Sequence, residues 1–376
     1  MHRRPLLHRL HVQSAVVFRA LHLGDMLCAV PTLRALRTAL PKAHIALVGL
    51  PWAAQFVDRF SAYLDEFLPF PGHPLLPEQT VHHDDLSPFY ARVCAREFSL
   101  AVQLHGCGDI ANHIVSGFGA TAMAGHCRGK PMVTDKTVLT PYPETGAEPE
   151  RLLHLASQLG APAAGAHLEF PILREDEDEL AASGLVKGLA PGSYICVHPG
   201  ARQRDTCWPP ERFASVADRL ADEFGMRIVL TGSAAEAPLA QAVADRMHLP
   251  AIVATAPISI GAMAARMSRA RLLICNDTGV SHIAAGIGLN SVVIFRKADI
   301  ARWAPLDRLR HRCIWDPGAE RATVVLQHAR ALLTDAEPSG QRATGDGNVA
   351  ILVSKNQRAQ PCAARPECKP EVTNWL

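Results

Sequence analysis

The sequence predicts an α/β protein made of two Rossmann-like, doubly wound domains that face a central cleft. Strand-like apolar runs alternate with amphipathic helical runs, which is the pattern of parallel sheets with crossover helices. This alternation stops at a linker and then starts again, and 376 residues are more than one hydrophobic core usually organises. We therefore place the first domain at residues 1–170 and the second at 171–334, and we expect a disordered polar tail at 335–376.

The bulk composition is that of an ordinary globular protein. Hydrophobic residues make up 48% of the chain, charged residues 20%, and the formal net charge is +2, so general binding to nucleic acid is not expected. The sequence has no apolar run of bilayer-spanning length and no signal-peptide pattern, and its 10 cysteines lack the spacing of a metal site. We therefore expect a cytoplasmic protein without a bound metal.

The first 37 residues are rich in arginine, with Asp25 as the only acid among them. Such a basic end suits contact with an anionic membrane face or with a polyanionic substrate. A solvated basic surface is the equally simple alternative.

The first domain opens with a strand–helix–strand unit. Its first strand ends in the turn Leu23-Gly24-Asp25, and apolar residues then recur at helical spacing from Met26 to Leu40. Gly160 is a suitable C-cap for the last helix of the domain. The predicted elements are strands at 15–18, 44–48, 100–104 and 121–124 and helices at 26–40 and 151–159.

A stretch rich in proline, glycine and alanine at about 161–192 separates the two domains. Its acidic run contains Asp176-Glu-Asp178, which matches the Asp-x-Asp motif that binds metal in some sugar transferases. We interpret this run instead as a solvated helix start. The alternation of strands and helices then resumes. The predicted elements are strands at 194–197, 227–230, 251–253, 272–275 and 291–295 and helices at 210–224, 235–247, 259–268, 279–288 and 319–334.

Turns with glycine follow several strands of both domains. In doubly wound folds the ligand crevice lies at the carboxyl ends of the strands, so these turns are expected to line one cleft. The turns are Gly24-Asp25, Gly106, His198–Ala201, Gly232-Ser233 and Asp277–Gly279.

The segment from Leu272 to Gly288 is a predicted strand, turn and helix. The turn Asn276-Asp277-Thr278-Gly279 supplies a hydroxyl, a glycine and free N–H groups at a helix start, and His282 lies in the first helical turn. Helix N-termini attract anions, so this turn suits a phosphate or a diphosphate. An ordinary loop in which Asp277 or Thr278 caps the helix fits the same spacing.

Asp25 is the candidate catalytic base. It follows the first strand at the start of a helix, and a carboxylate aimed into a cleft can take the proton from an attacking hydroxyl. On position alone, Asp25 is equally suited to cap the helix at 26–40.

The run His198–Pro209 is a second candidate anion-binding loop. Gly200 allows close approach of the backbone, and Arg202 or Arg204 can pair with a phosphate in bidentate fashion. The alternative is that Trp208 packs in the core and the arginines are solvated.

Three blocks of the sequence resemble glycosyltransferase family 9, the heptosyltransferases of lipopolysaccharide assembly. The first block is Leu23–Arg37, and the second leads from His198-Pro-Gly-Ala201 to Trp208-Pro-Pro-Glu-Arg-Phe213. The third block is Asn276–His282, with Ala301–Pro305 beyond it. Their order and spacing agree with the family over residues 15–334.

The resemblance implies a GT-B fold and an inverting, metal-independent transfer of heptose from ADP-heptose to the lipid A–Kdo inner core of lipopolysaccharide. The nucleotide sugar is a substrate, and no cofactor is implied. The anionic glycolipid acceptor implies transient contact with the inner face of the membrane. Asp25 would be the general base, with Gly24, His105 and Gly106 on the acceptor side. The implied donor-binding residues are Ala201, Arg202, Arg204, Thr206, Glu236 at the ribose, Ile258 at the adenine, Asp277, Thr278, Gly279 and His282.

Two positions depart from the family pattern. Thr206 stands where the family usually has a lysine that contacts the donor phosphate, and Arg204 is a possible substitute, although arginine and lysine are not interchangeable. Arg296 stands where a glycine often follows the last strand, which offers a second compensating cation. The alternatives are a family member with another nucleotide-sugar donor or a protein acceptor, a nucleotide-sugar epimerase on the same fold, and a catalytically degraded nucleotide-sugar-binding protein.

Overall fold

Two β-sheets, one in each half of the chain, organise the molecule. The computed structural model describes residues 4–185 and 187–334, and the tail at 335–376 lies outside the described residues. Strands and helices alternate along both halves, so the predicted α/β class is confirmed. Among the described helices, none combines the length and the apolar character that crossing a membrane requires.

The first domain contains a seven-stranded sheet. Its elements are β1 (Ser14–Phe18), α1 (Leu23–Ala39), β2 (His44–Gly49), α2 (Ala53–Arg59), β3 (Glu66–Pro69), α3 (His83–Cys94), β4 (Leu100–Gln103), α4 (Asp109–Ser116), β5 (Ala122–Cys127), β6 (Met132–Val133), β7 (Thr137–Pro141) and α5 (Glu148–Leu159). The strand order is β3-β2-β1-β4-β5-β7-β6, and only the short β6 pairs in the antiparallel direction.

The second domain contains a six-stranded parallel sheet in which the first strand again lies near the centre. Its elements are α6 (Arg174–Ser183), β8 (Tyr194–His198), α7 (Pro210–Phe224), β9 (Arg227–Thr231), α8 (Ala237–Ala244), β10 (Ala251–Ala254), α9 (Ile260–Ser268), β11 (Leu272–Asn276), α10 (Gly279–Ile287), β12 (Ser291–Phe295), α11 (Ile300–Trp303), β13 (His311–Trp315) and α12 (Ala322–Thr334). The strand order is β10-β9-β8-β11-β12-β13.

The central strands are buried on both faces. Val16 and Val17 of β1 point to opposite faces and are 0% and 1% exposed, and Ile195 and Cys196 of β8 are both 0% exposed. Strands that are covered on both sides have continuous apolar sequences, which is why the sequence predicts them well.

The order of strands reverses beside the first strand of each domain. β1 lies between β2 and β4, and β8 lies between β9 and β11. The loops that follow the two neighbouring strands at this position run in opposite directions over the sheet. A crevice therefore opens between them at the carboxyl ends of the strands. The helices α1 and α10, which follow β1 and β11, pack against each other across the domain boundary.

The structure differs from the sequence-based expectations in several elements. α1 begins at Leu23, so Leu23-Gly24-Asp25 is the first turn of the helix and not a separate turn. The structure also adds elements that the sequence patterns do not predict, namely α2, β3, α3, α4, β6, β7, α11 and β13. Among them, the strands β3, β6 and β13 are short and partly exposed and lack a long apolar run, so their sequence pattern is weak.

The acidic run of the linker is a helix start, as expected, but Asp176 is not solvated. Asp176 is 5% exposed, and its carboxylate accepts hydrogen bonds of 2.5 and 2.9 Å from Arg59 of α2. A Cβ atom on Gly261 of α9 would lie 1.7 Å from this carboxylate, so a larger residue does not fit there. The ion pair therefore fixes the linker between the two domains.

Candidate active site in the interdomain cleft

A cavity of about 400 Å³ lies between the domains, at the carboxyl ends of both sheets. Its walls include most of the residues that the sequence motifs single out. From the first domain these are His22, Leu23, Gly24 and Asp25; from the second they are Ala201, Arg202, Gln203, Thr206, Asp277, Thr278, Gly279, His282, Ile294, Arg296, Lys297, Ala298 and Trp303.

Two helices begin at this cavity. The N-cap residues, His22 for α1 and Thr278 for α10, make no side-chain hydrogen bond to their helices. The first N–H groups of both helices are therefore left for a ligand, and the two helix dipoles place partial positive charge at the same point. The capping alternative for the 276–279 turn is not observed, and the geometry suits an anion.

Two glycines allow these helix ends to approach each other. A Cβ atom on Gly24 would lie 3.1 Å from Cδ2 of His282 and 3.4 Å from Cα of Gly279. A Cβ atom on Gly279 would lie 3.3 Å from the backbone nitrogen of Gly24. Even a methyl group at either position would therefore require the facing atoms of the other domain to shift by a few tenths of an ångström.

The Asp25 carboxylate lies in the first turn of α1 and faces the cavity. The Asp25 carbonyl oxygen accepts a 2.9 Å hydrogen bond from Nε of Arg19, which fixes the backbone. Within the described ranges, no hydrogen bond or ion pair engages the Asp25 carboxylate itself. The helix N-cap is His22, so Asp25 does not act as the cap and its carboxylate is accessible to a substrate hydroxyl.

Asp277, which lines the cavity from the second domain, interacts electrostatically with Asp25. Burial, together with the negative charge of Asp25, raises the pKa of Asp277 to about 7. Near neutral pH a large fraction of Asp277 is therefore protonated, so its repulsion of an anionic ligand is reduced.

The raised pKa of Asp277 makes stability depend on pH. The folded protein binds this proton more tightly than the unfolded chain, so ionisation of Asp277 destabilises the fold as pH rises from the ordinary aspartate pKa of 3.8 through about 7. We expect Asp277→Asn to raise Tm above pH 7 and to change it little near pH 4. Thermal unfolding of both proteins across this range tests the prediction, and an equal Tm difference at every pH would contradict it.

His282 lies in the first turn of α10, as the sequence predicts, and lines the cavity. Burial, with a smaller contribution from His311, lowers the pKa of His282 to about 4, so the ring is neutral. Its Nδ1 is buried and has no hydrogen-bond partner in the described part of the chain. The ring is therefore a neutral polar group that a ligand oxygen can satisfy.

Asn276 joins the two loops of the second domain that line the cavity. Its side-chain oxygen accepts a 2.8 Å hydrogen bond from the backbone N–H of Trp208, and its Nδ2 donates to the carbonyl of Pro199 at 2.7 Å. Trp208 is fully buried, and its Nε1 donates to Asp316 at 2.9 Å. Trp208 is thus core packing, as the alternative interpretation held, and it also anchors the loop.

The cations of the cleft differ from those that the sequence indicates. Arg202 is exposed and lines the cavity, whereas the exposed Arg204 is not among the lining residues. Arg296 lines the cavity, but its guanidinium donates to the carbonyls of Cys207, at 2.7 Å, and Pro317, at 3.0 Å, so it braces the loop. Lys297 also lines the cavity and pairs with Asp205.

Thr206 also lines the cavity. Its hydroxyl donates a 2.6 Å hydrogen bond to the carbonyl of Gln203, which stabilises the turn. Lys297, one of the lining residues that the sequence motifs do not single out, follows β12 by two residues. Its position after a strand end was the available signal.

Besides Arg204, four other expected site residues lie outside the cavity lining. Glu236 accepts hydrogen bonds from the backbone and hydroxyl of Ser233, at 2.8 and 2.9 Å, and Ile258 is half-buried against the core. His105 stacks against Phe18, and burial lowers the pKa of its ring to about 3. The fourth is Gly106, which has a positive φ of 62° beside His105.

Two doubly wound domains with a cleft at the carboxyl ends of both sheets define the GT-B fold class. A glycosyl transferase family 9 protein from Veillonella parvula DSM 2008 has this fold, with a TM-score of 0.74, 22% identity, and coverage of 86% of this chain and 98% of that chain. The E. coli heptosyltransferase WaaC, solved with ADP, has a TM-score of 0.64, 17% identity, and coverage of 85% and 99%. The predicted GT-B fold is confirmed.

Residues 147–329 match the family model described as glycosyltransferase family 9 (heptosyltransferase). Lipopolysaccharide heptosyltransferase 3 of Escherichia coli is 29% identical over 116 residues, which cover 30% of this chain and 34% of that protein. The matching segment thus spans about a third of the curated relative. The match to this model confirms the resemblance inferred from the sequence motifs.

Proposed function

We propose that the protein is an inverting glycosyltransferase that moves heptose from ADP-heptose to the inner core of a lipopolysaccharide precursor. The observation that carries the proposal is that an accessible carboxylate, Asp25, and two helix N-termini line one cavity. The family match adds support, because its description names heptosyltransferases. The E. coli enzyme WaaC with the same fold has been solved with ADP and with ADP-2-deoxy-2-fluoro heptose.

In the proposed reaction, Asp25 accepts the proton of an acceptor hydroxyl. A lone pair of the deprotonated acceptor oxygen attacks the anomeric carbon of heptose. The bond from that carbon to the diphosphate oxygen breaks, and ADP leaves with the bonding electrons. Attack on the face opposite the leaving group inverts the anomeric configuration. A general base of this kind typically contributes about 10²–10⁴-fold to the rate.

The second domain is proposed to hold the leaving diphosphate. The N–H groups at the start of α10, the Thr278 hydroxyl and the neutral His282 ring offer hydrogen bonds, and Arg202 and Lys297 offer positive charge. These groups are fixed before the reaction and act where negative charge develops, which is the arrangement that lowers a transition-state energy most.

The acceptor is proposed to be an anionic glycolipid at the inner face of the cytoplasmic membrane. The arginine-rich first domain, which contributes Asp25 to the cleft, would approach it. Transfer of heptose from ADP-heptose to a heptose-less lipid A–Kdo acceptor, followed by NMR of the new anomeric linkage, tests the proposal. Transfer only to a protein acceptor would contradict the acceptor, and a retained configuration would contradict the mechanism.

We further expect transfer to persist in excess EDTA. The protein groups at the two helix N-termini and the nearby cations supply the charge that a metal ion would otherwise supply to the diphosphate. The measurement is the initial rate with EDTA and with added Mg²⁺. A rate abolished by EDTA and restored by Mg²⁺ would show that the transfer depends on metal.

A further inference from the structure

A buried carboxylate connects the two domains beside the cleft. Glu148, the first residue of α5, has a side chain that is 2% exposed. It accepts a 2.8 Å hydrogen bond from Nε of Arg302, on α11 of the second domain, and a 2.7 Å hydrogen bond from the hydroxyl of Tyr142. Nη2 of Arg19 lies 3.7 Å away on the side of the first domain. One carboxylate thus interacts with arginines of both domains.

The Arg19 side of this cluster reaches the candidate base. Arg19 is 1% exposed, and its Nε donates to the carbonyl oxygen of Asp25 at 2.9 Å, while its Nη1 donates to the carbonyl of Leu104. The guanidinium therefore joins the first turn of α1 to the end of β4. Its orientation fixes the backbone from which the Asp25 carboxylate projects.

The Arg302 side reaches the opposite wall of the cleft. The Arg302 guanidinium lies 4.6 Å from the ring centroid of Trp303, and Trp303 lines the cavity. The ring of Tyr142 is 5.9 Å away, so the guanidinium lies between aromatic groups of both domains. Movement of the second domain would displace Arg302 and Trp303 together.

Separation of the domains would leave Glu148 with an incomplete set of partners. Burial alone would raise the pKa of the Glu148 carboxyl, but Arg19 and Arg302 outweigh burial and lower it, so the group is ionised. Arg19 makes no hydrogen bond through Nη2 and cannot replace the close contact from Arg302. A buried charge that loses its partner is strongly destabilising, so the cluster favours the closed cleft.

We propose that Glu148 and Arg302 are positioning residues, which hold Asp25 in place through Arg19 when the domains close around the donor. The inference rests on the proposed role of Asp25 as the base. Neither residue lines the cavity, so both act through others.

A double-mutant cycle tests this proposal, with Glu148→Gln, Arg302→Gln and the double variant. We expect each single variant to lower kcat about tenfold and to raise the Kd for ADP by at most about threefold, because ADP itself also draws the domains together. The double variant should lose little more than either single variant, because the two changes break the same contact. Glu223→Gln is the matched control, since Glu223 pairs with Arg330 at the surface, and it should leave kcat unchanged.

The measurements are made well below the Tm of each folded variant, so that loss of fold is not read as loss of positioning. Unchanged kcat in the single variants, or independent losses that add in the double variant, would overturn the inference. A kcat and an ADP affinity that fall by the same factor would indicate a purely structural role and would also overturn it. Failure of the proposed function would instead appear in the wild type, as absence of heptose transfer.

Discussion

Asp25→Asn is expected to lower kcat for heptose transfer by about 10²–10⁴-fold, which is the usual contribution of a general base. Asparagine keeps the size of the side chain and removes only the ability to take a proton. No hydrogen bond or ion pair within the described residues depends on the Asp25 carboxylate, so the fold should be unaffected.

The measurement is kcat with ADP-heptose, beside the Kd for ADP from calorimetry. ADP should bind Asp25→Asn at least as tightly as the wild type, because a negative charge has left the cavity. Asp58→Asn, at an exposed aspartate of α2, is the matched control. If kcat of Asp25→Asn were within about threefold of the wild-type value, Asp25 would not be the general base.

Asn276→Ala is expected to destabilise the second domain by about 2–5 kcal/mol, because two buried backbone groups lose their partner. The N–H of Trp208 and the carbonyl of Pro199 both depend on the Asn276 side chain, which is 1% exposed. The loops that carry Ala201 and Thr278 would then move independently. We expect a lower Tm and a weaker affinity for ADP, since both loops line the cavity.

Chemical denaturation and ADP titration measure the two effects. Asn276→Asp should fall between alanine and the wild type, because a carboxylate still accepts from Trp208 but cannot donate to Pro199. Asn290→Ala, at a half-buried asparagine after α10, serves as control. If Asn276→Ala had the stability and ADP affinity of this control, Asn276 would not be the connection between the loops.

The part of the site that follows from strand ends was predictable. Asp25 and Thr278 lie at the helix starts that follow apolar strands buried on both faces, and doubly wound topology brings the ends of such strands to one edge. The same argument predicted His282, because it is one helical turn into α10. These positions depend on local pattern and on one rule of topology.

The remaining residues depend on contacts between distant segments, which periodicity does not contain. Arg204 and Lys297 are both basic residues close to predicted turns, yet only Lys297 lines the cavity. Glu148 precedes the predicted start of its helix, and its partner Arg302 is 154 residues away in the sequence. Asn276 belongs to the predicted turn, but its bonding to Pro199 and Trp208 requires the folded sheet.

The contact between Gly24 and Gly279 brings the positive ends of two helices together from different domains. Ends of like sign repel, so closure of the free protein works against this repulsion. A bound diphosphate attracts both helix N-termini, so their repulsion is replaced by attraction to a shared counter-ion that joins the two domains. Domain closure should therefore follow donor concentration, and the thermal stability of the whole protein should rise with the logarithm of free ADP above its Kd. In this protein, the substrate would be part of the interface that holds the enzyme together.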